Sequence, residues 1–360
     1  MPRGTRLLTG LSISAATVAV LLVGLYGLDA YAHRRFGAVA GWNVHGYRGS
    51  VLGPKMPNEV RIAALGGSTT YGYGVGPDQS YPAQLERALA DALGPRVRVT
   101  VANLGFNNDG AVCFKGTVEA YAYLDPDMYI IYSGINDSPQ MSIRRRPSDC
   151  GRPSWVFRTF GRLPIVHVVL REKYYQLRYG SVEKGYRANT SQPATALANW
   201  REELQKGWQP PPRRAPAAGT GPSGGNPTGP TPALYGDEEV TTLYGAMVYK
   251  DLVVALVRSL LSRGKAVLVA PEPFFADERS GRRYQQALAR TALERGFGGN
   301  ARFRYVDLGD LFTREEQLTL TSDGMHLTPE GNARLARALV EPAAALARPL
   351  AVARVEGDAK

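Results

Sequence analysis

The sequence predicts an α/β fold, an open and mostly parallel sheet of about five strands with helices on both faces. Two observations predict it. Five short apolar runs suited to buried strands alternate with stretches of helical periodicity. Three of four polar, glycine-bearing segments, Gly66-Gly67-Ser68-Thr69-Thr70, Asn103-Leu104-Gly105 and Gly134-Ile135-Asn136-Asp137, directly follow such runs. Beyond the carboxyl ends of strands is where the ligand crevice of such a sheet lies. At 360 residues, 44% hydrophobic and 21% charged, the chain has room for one full domain with appendages rather than two large domains.

Element by element, the chain opens with an apolar stretch. No charged residue occurs from Leu7 to Leu28, between Arg3 and Arg6 on one side and Asp29 on the other. A helix of that length, rising about 1.5 Å per residue, spans the hydrocarbon core of a bilayer. Residues 1–35 therefore read as a single-pass membrane anchor with the rest of the chain outside the cytoplasm. The alternative is secretion after signal cleavage, for which Ala30-Tyr31-Ala32 has the small-x-small spacing. Arg3 and Arg6 against Arg34 and Arg35 leave the charge rule for orientation nearly tied.

Ala38 to Pro57 is Gly-rich and aromatic, an irregular lead-in that could pack beside a site. The run Val60 to Leu65 ends at Gly66 and reads as the first strand. Leu85, Leu89 and Ala92 mark a helix over Tyr81 to Leu93, Val97 to Ala102 a second strand, Glu119 to Leu124 a helix, and Met128 to Tyr132 a third strand. Residues 138–237 interrupt the rhythm as an insertion. Within it, Trp155 to Tyr179 reads as helical or membrane-facing, and residues 209–232, dominated by Pro, Gly, Ala and Thr, read as a flexible linker. The rhythm resumes with a helix from Asp237 to Arg263, a strand at Ala266 to Ala270, a helix through Tyr284 to Arg295 and a strand at Phe303 to Leu308. Thr328-Pro329 then opens a last helix, Thr as N-cap and Pro at the first helical position. The main domain is expected to span 36–345, leaving 346–360 as a tail.

The net charge of +11 favours anionic surfaces. Nucleic acid is not an expected partner, because the basic residues are scattered and no binding module accompanies them. The four histidines, His33, His45, His167 and His326, show no metal-ligand spacing, and no Cys-x-x-Cys occurs. Cys113 and Cys150 read either as one disulfide or as one buried and one exposed thiol.

The four segments, with Asp323-Gly324-Met325-His326 as the last, offer the parts of an ester-cleaving site. A serine hydroxyl becomes a nucleophile when a base takes its proton and a carboxylate orients that base. Ser68, at a Gly-rich strand-to-helix turn, is the candidate nucleophile, His326 the base, and Asp323 its orienting carboxylate three residues before. The Ser68 and Gly105 amides and the Asn136 side chain are candidate donors to the oxyanion. Asp137 reads as structural, holding the loop that aims Asn136, and Asn107, Asn108 and Asp109 could line a pocket rim. Each segment alone has an ordinary reading as a turn or a cap. Their conjunction in one order at strand ends is what points to chemistry.

On these residues the chain resembles an SGNH hydrolase of the GDSL esterase and lipase superfamily. Gly72-Tyr73-Gly74-Val75, Ser80-Tyr81-Pro82 and the stretch from Asp323 to Gly331 are also similar to stretches of bacterial members. The resemblance covers about Glu59 to Asp137 and Ala266 to Val340. It implies a flavodoxin-like three-layer α/β/α sandwich working without metal or organic cofactor. It further implies Ser68, His326 and Asp323 as triad, with Gly105 and Asn136 in the oxyanion hole. Gly67 departs from the family's first block, which usually has Asp there.

The function expected is a serine esterase that removes a small acyl group, such as O-acetyl, through an acyl-enzyme. Its substrate would be an acylated small molecule, a glycan or a lipid ester. An O-acyltransferase acting on an extracytoplasmic polysaccharide uses the same acyl-enzyme and is the first alternative. A non-catalytic surface binding protein with this fold is the second.

Overall fold

The computed structural model describes residues 3–144, 161–180, 237–274 and 281–357, with residues 146, 147, 150, 157, 159 and 188 between them. The linker expected at 209–232, Trp155 and most of the 138–237 insertion lie outside the described residues.

Five strands form one parallel sheet in the order β2-β1-β3-β4-β5, with β1 at Glu59–Gly66, β2 at Arg98–Asn103, β3 at Met128–Ser133, β4 at Ala266–Pro271 and β5 at Phe303–Tyr305. This is the doubly wound α/β architecture that the alternation of strands and helices predicts. Side-chain alternation along each strand serves two cores. Ile62, Ala64, Met128, Ile130 and Tyr132 face one, and Ala63, Leu65, Tyr129 and Ile131 face the other. The helices divide accordingly.

Among the described residues, the α-helices are, in chain order, α1 (Arg3–Ala40), α2 (Ser68–Tyr71), α3 (Tyr81–Leu93), α4 (Ala111–Ala120), α5 (Pro139–Arg144), α6 (Val166–Tyr179), α7 (Asp237–Ser262), α8 (Arg282–Phe297), α9 (Arg314–Leu320) and α10 (Pro329–Gly357). Leu85 and Leu89 of α3 pack with Leu335, Leu339 and Ala343 of α10 on one face of the sheet. Phe114 of α4, Val253 and Val257 of α7 and Leu293 of α8 cover the other. All nine strand residues named for the two cores are buried, so both faces of the sheet are sealed.

Several boundaries differ from the sequence reading. The helix expected at Glu119 to Leu124 begins instead at Ala111 and is followed by a short 3-10 turn, Ala122–Leu124. Its start is set by the Asp137 carboxylate, which accepts from the Ala111 amide at 2.7 Å across 26 residues of chain. β5, the edge strand, is shorter than expected: its register with β4 covers Phe303, Arg304 and Tyr305, and beyond it the Val306 amide donates to Val269 O at 2.9 Å. Of the segment expected as a tail, residues 346–357 continue α10, which runs to Gly357 and buries Leu346, Ala347 and Ala351. Cys113 and Cys150 form a disulfide, resolving the two readings of that pair.

Within α1, Ser12–Gly37 is long and apolar enough to cross a membrane, with Val20, Leu21, Leu22 and Val23 exposed. The far end of α1 is tied to the insertion. Asp29 is buried and accepts from the Ile165 amide at 2.7 Å, the Val166 amide at 3.1 Å and Arg162 Nε at 3.0 Å, so it caps α6 from another helix. Past α1, Trp42 stacks on Phe106 at 5.2 Å and tilts against Tyr71 at 5.6 Å. The lead-in is thereby seated beside the turn that follows β1.

Candidate active site

β1 ends at Gly66, and the chain turns at once into α2, a single helical turn whose first residue is Ser68. Tyr71 N donates to Gly67 O at 3.0 Å and Gly72 N to Ser68 O at 3.0 Å, closing the turn before Gly72 adopts a left-handed conformation at φ 80°. This sharp bend leaves Ser68 half-buried at the carboxyl end of the sheet.

From the other end of the chain, the loop between α9 and α10 brings His326 to the same point. Its Nε2 lies 2.8 Å from Ser68 Oγ, across 258 residues of sequence, and its Nδ1 lies 2.7 Å from Asp323 Oδ2. The loop is locked from within. Asp323 Oδ1 accepts from the His326 amide at 2.8 Å and the Met325 amide at 3.1 Å, and Ser322 N donates to His326 O at 2.8 Å. Thus one carboxylate oxygen holds the backbone and the other meets the ring. Burial pushes the Asp323 carboxyl up, yet the hydrogen bonds and charge of His326 with the two backbone amides outweigh it and hold the group below the ordinary carboxylate range.

Asn136 also arrives at the nucleophile turn. Its Nδ2 donates to Asp109 O at 3.0 Å, and an amide nitrogen carries a second hydrogen to offer. The nitrogen sits directly over Gly67. A Cβ on Gly67 would lie 2.3 Å from Asn136 Nδ2 and 2.9 Å from Asp109 O. The space at this position admits no side chain without a shift of its neighbours. Ser68, as the first residue of α2, has an amide with no partner inside the turn.

Gly105 requires a correction. Its amide donates to Asn103 Oδ1 at 3.0 Å, and a Cβ there would come within 2.3 Å of Tyr71 N. The expected oxyanion donor is already engaged, and Gly105 is a close-packing residue under α2. Asn103 also donates from Nδ2 to Thr70 O at 2.9 Å, which pins α2 onto the end of β2. Asp137 is buried at the start of α4, where it caps the helix. Of the rim candidates, Asp109 is buried and supplies the carbonyl for Asn136, while Asn108 is exposed with φ 65°.

Two neighbours were not among the site candidates read from the sequence. Tyr73, exposed in part, packs its ring 4.7 Å from that of His326 at a 46° tilt. Glu272, just past β4, is buried between Thr69 and Ile135. A lone acid after a strand has no local pattern to single it out. Among the described residues, no group of three or more His, Cys, Asp or Glu side chains is placed to hold a metal ion.

Residues 64–334 match the model of the GDSL-like lipase/acylhydrolase family. Among solved structures, the chain is similar to a putative lipolytic protein of the G-D-S-L family from Desulfitobacterium hafniense DCB-2, at 13% identity over 78% of this chain and 99% of that one, with a TM-score of 0.37. It is similar to the acetylxylan esterase Axe2 from Geobacillus stearothermophilus at 15% identity over 79% and 95%, with a TM-score of 0.41. A two-domain esterase active on acetylated mannans is similar at 15% identity over 78% of this chain and 48% of that one, with a TM-score of 0.40. No curated protein matches.

Proposed function

The chain belongs to the GDSL-like lipase/acylhydrolase family, and from that premise we propose that it is an SGNH-type serine esterase acting through Ser68, His326 and Asp323. One observation carries the reading. Hydrogen bonds of 2.8 Å and 2.7 Å link Ser68 Oγ to His326 Nε2 and His326 Nδ1 to Asp323 Oδ2. A hydroxyl, an imidazole and a carboxylate in that order form the arrangement that activates a weak nucleophile.

In this reading, Ser68 Oγ forms a bond to the ester carbonyl carbon as its proton passes to His326 Nε2. Negative charge gathers on the carbonyl oxygen, and the Ser68 amide and the second hydrogen of Asn136 Nδ2 are the donors assigned to it. When the tetrahedral species collapses, the bond to the alcohol oxygen breaks and His326 returns the proton to that leaving group. Water then repeats the sequence on the acyl-enzyme: it gives a proton to His326, its oxygen bonds to the acyl carbon, and Ser68 leaves with the proton back on Oγ. Asp323, held as a carboxylate, keeps hydrogen on Nδ1 so that Nε2 is free to accept.

We assign a small acyl group, with O-acetyl on a glycan as the candidate substrate. Tyr73 beside His326 supports an aromatic face at the rim on which a sugar ring can lie. We also propose that α1 is retained as an anchor holding the 36–345 domain outside the cytoplasm. Cleavage after Ala32 would remove Asp29 and strip α6 of its cap.

The test is labelling by a serine-directed fluorophosphonate together with turnover of a panel of acyl esters. The wild type should label, Ser68→Ala should not, and acetyl esters should turn over fastest. Equal labelling of Ser68→Ala refutes the nucleophile, and preference for long acyl chains refutes the substrate assignment.

A further inference from the structure

We propose that Glu272 is a positioning residue of this site, a buried bridge that fixes the nucleophile turn against the loop carrying Asn136. The proposal rests on the roles read above for Ser68 and Asn136.

Glu272 is 2% exposed and follows the last residue of β4. One carboxylate oxygen accepts from the hydroxyl of Thr69, the residue after Ser68. The other accepts from the amide of Ile135, the residue before Asn136. A single side chain just past β4 therefore holds two loops that issue from β1 and β3, one carrying the reacting hydroxyl and one the oxyanion donor.

The bridge itself is anchored. Glu272 N donates to Ser133 O at 3.0 Å, and Glu272 O accepts from Arg282 Nη2 and from Gln286 Nε2, each at 3.1 Å. With its backbone tied to β3 and α8, the carboxylate has little freedom to follow a moving loop. Burying a carboxylate is costly unless its partners compensate. Burial pushes the Glu272 carboxyl above the ordinary carboxylate range, and the Arg282 guanidinium, the Thr69 hydroxyl and the Ile135 amide offset that only in part. A site that needed only to fill space would be served by an apolar residue. Two converging donors, each adjacent in sequence to a reacting residue, give the carboxylate its reason to be there.

Neither Glu272 nor Thr69 touches the reacting atoms, so both act through geometry. Oxyanion stabilisation depends on donors held at hydrogen-bond distance from an atom bonded to Ser68. A displacement of about 1 Å in such a site costs on the order of 10²-fold in rate.

The experiment uses the full chain in detergent, with kcat and KM on a short-chain aryl ester. Melting curves confirm folding, and fluorophosphonate labelling confirms the nucleophile. Glu272→Ala and Thr69→Val should each lower kcat by about tenfold or more with KM changed less than about twofold. The conservative partners should recover most of the loss. Thr69→Ser keeps the hydroxyl, and Glu272→Gln offers an acceptor to Ile135 and a donor to Thr69. The double variant Thr69→Val with Glu272→Ala should be no slower than Glu272→Ala alone.

A folded Glu272→Ala with wild-type kcat overturns the bridge, as does a Thr69→Ser no faster than Thr69→Val. Should Glu272→Ala fail to fold, the Thr69 pair decides: wild-type kcat in Thr69→Val overturns the proposal. Loss of labelling in Ser68→Ala with undiminished turnover in the Glu272 and Thr69 variants refutes the bridge while leaving the esterase reading intact. Failure of the wild type to label refutes both.

Discussion

Replacing Gly67 by alanine isolates the contribution proposed for Asn136 without touching Ser68, His326 or Asp323. The added Cβ would fall 2.3 Å from Asn136 Nδ2, where ordinary van der Waals contact begins at 3.4 Å. The amide must then retreat by about 1 Å, a displacement that costs on the order of 10²-fold in rate at a reacting centre. Retreat toward Asp109 is closed off, because the same Cβ would lie 2.9 Å from Asp109 O, the acceptor that Asn136 now uses. Removal of one oxyanion donor costs about 10² to 10³ in turnover, roughly 3 to 4 kcal/mol, which bounds the effect from above. With the Ser68 to His326 bond unaltered, kcat on an acetyl ester should fall by about 10² while KM changes little. Asn136→Ala should fall by a similar factor, and the Gly67→Ala, Asn136→Ala double variant should be no worse than the slower single variant. Full kcat in a folded Gly67→Ala would refute the placement of Asn136 over the nucleophile turn. Additive losses in the double variant would show that the two changes act on different things.

Asp323→Asn should preserve the loop, since Oδ1 still accepts the Met325 and His326 amides, but its new amide group would face Nδ1 and force the wrong tautomer. Turnover should drop by up to about 10⁴ with an unchanged melting curve, and unchanged turnover would point to another orienting group. The disulfide closes a separation of 37 residues, so Cys113→Ala should lower unfolding free energy by about 4 kcal/mol in chemical denaturation, and no change would exclude that contribution. At acid pH, burial pushes Glu59 up, but hydrogen bonds from Arg61, Thr100 and the Met56 amide bring it down from 4.5 to about 2. A carboxylate depressed on folding stabilises fully above its unfolded value and loses that contribution as pH falls toward its folded one. Melting temperature should therefore decline between about pH 4.5 and pH 2, and the decline should be shallower in Glu59→Gln.

Much of the fold was legible because strand and helix periods are local. Met128 to Tyr132 announces a buried parallel strand by being apolar throughout, Val60 to Leu65 reads as a strand although Arg61 interrupts it, and the face of Leu85, Leu89 and Ala92 marks α3 over the span it occupies. Boundaries set by distant partners were not legible. Asp137 decides where α4 starts, and the Leu346 and Ala351 contacts carry α10 beyond the expected end of the domain. Ser68, Asp323, His326 and Asn136 could be named as candidates because chemistry restricts which residue types can serve and the turns restrict where they sit, and the fold brings all four to one place. Gly105 misled, since its position after a strand says nothing of whether Asn103 has already taken its amide.

By itself, then, the sequence determined the alternation of strands and helices, the apolar N-terminal span, and the residue types available for ester chemistry at the strand ends. Tertiary structure alone decided that Ser68 and His326 meet at 2.8 Å, that Cys113 and Cys150 join, and that Glu272 lies between Thr69 and Ile135. The reason is physical: periodicity and turn preference act over a few residues and leave a local trace. Hydrogen-bond commitments and close contacts between β1, β3, β4 and the last loop depend on directions in space that no stretch of chain encodes alone.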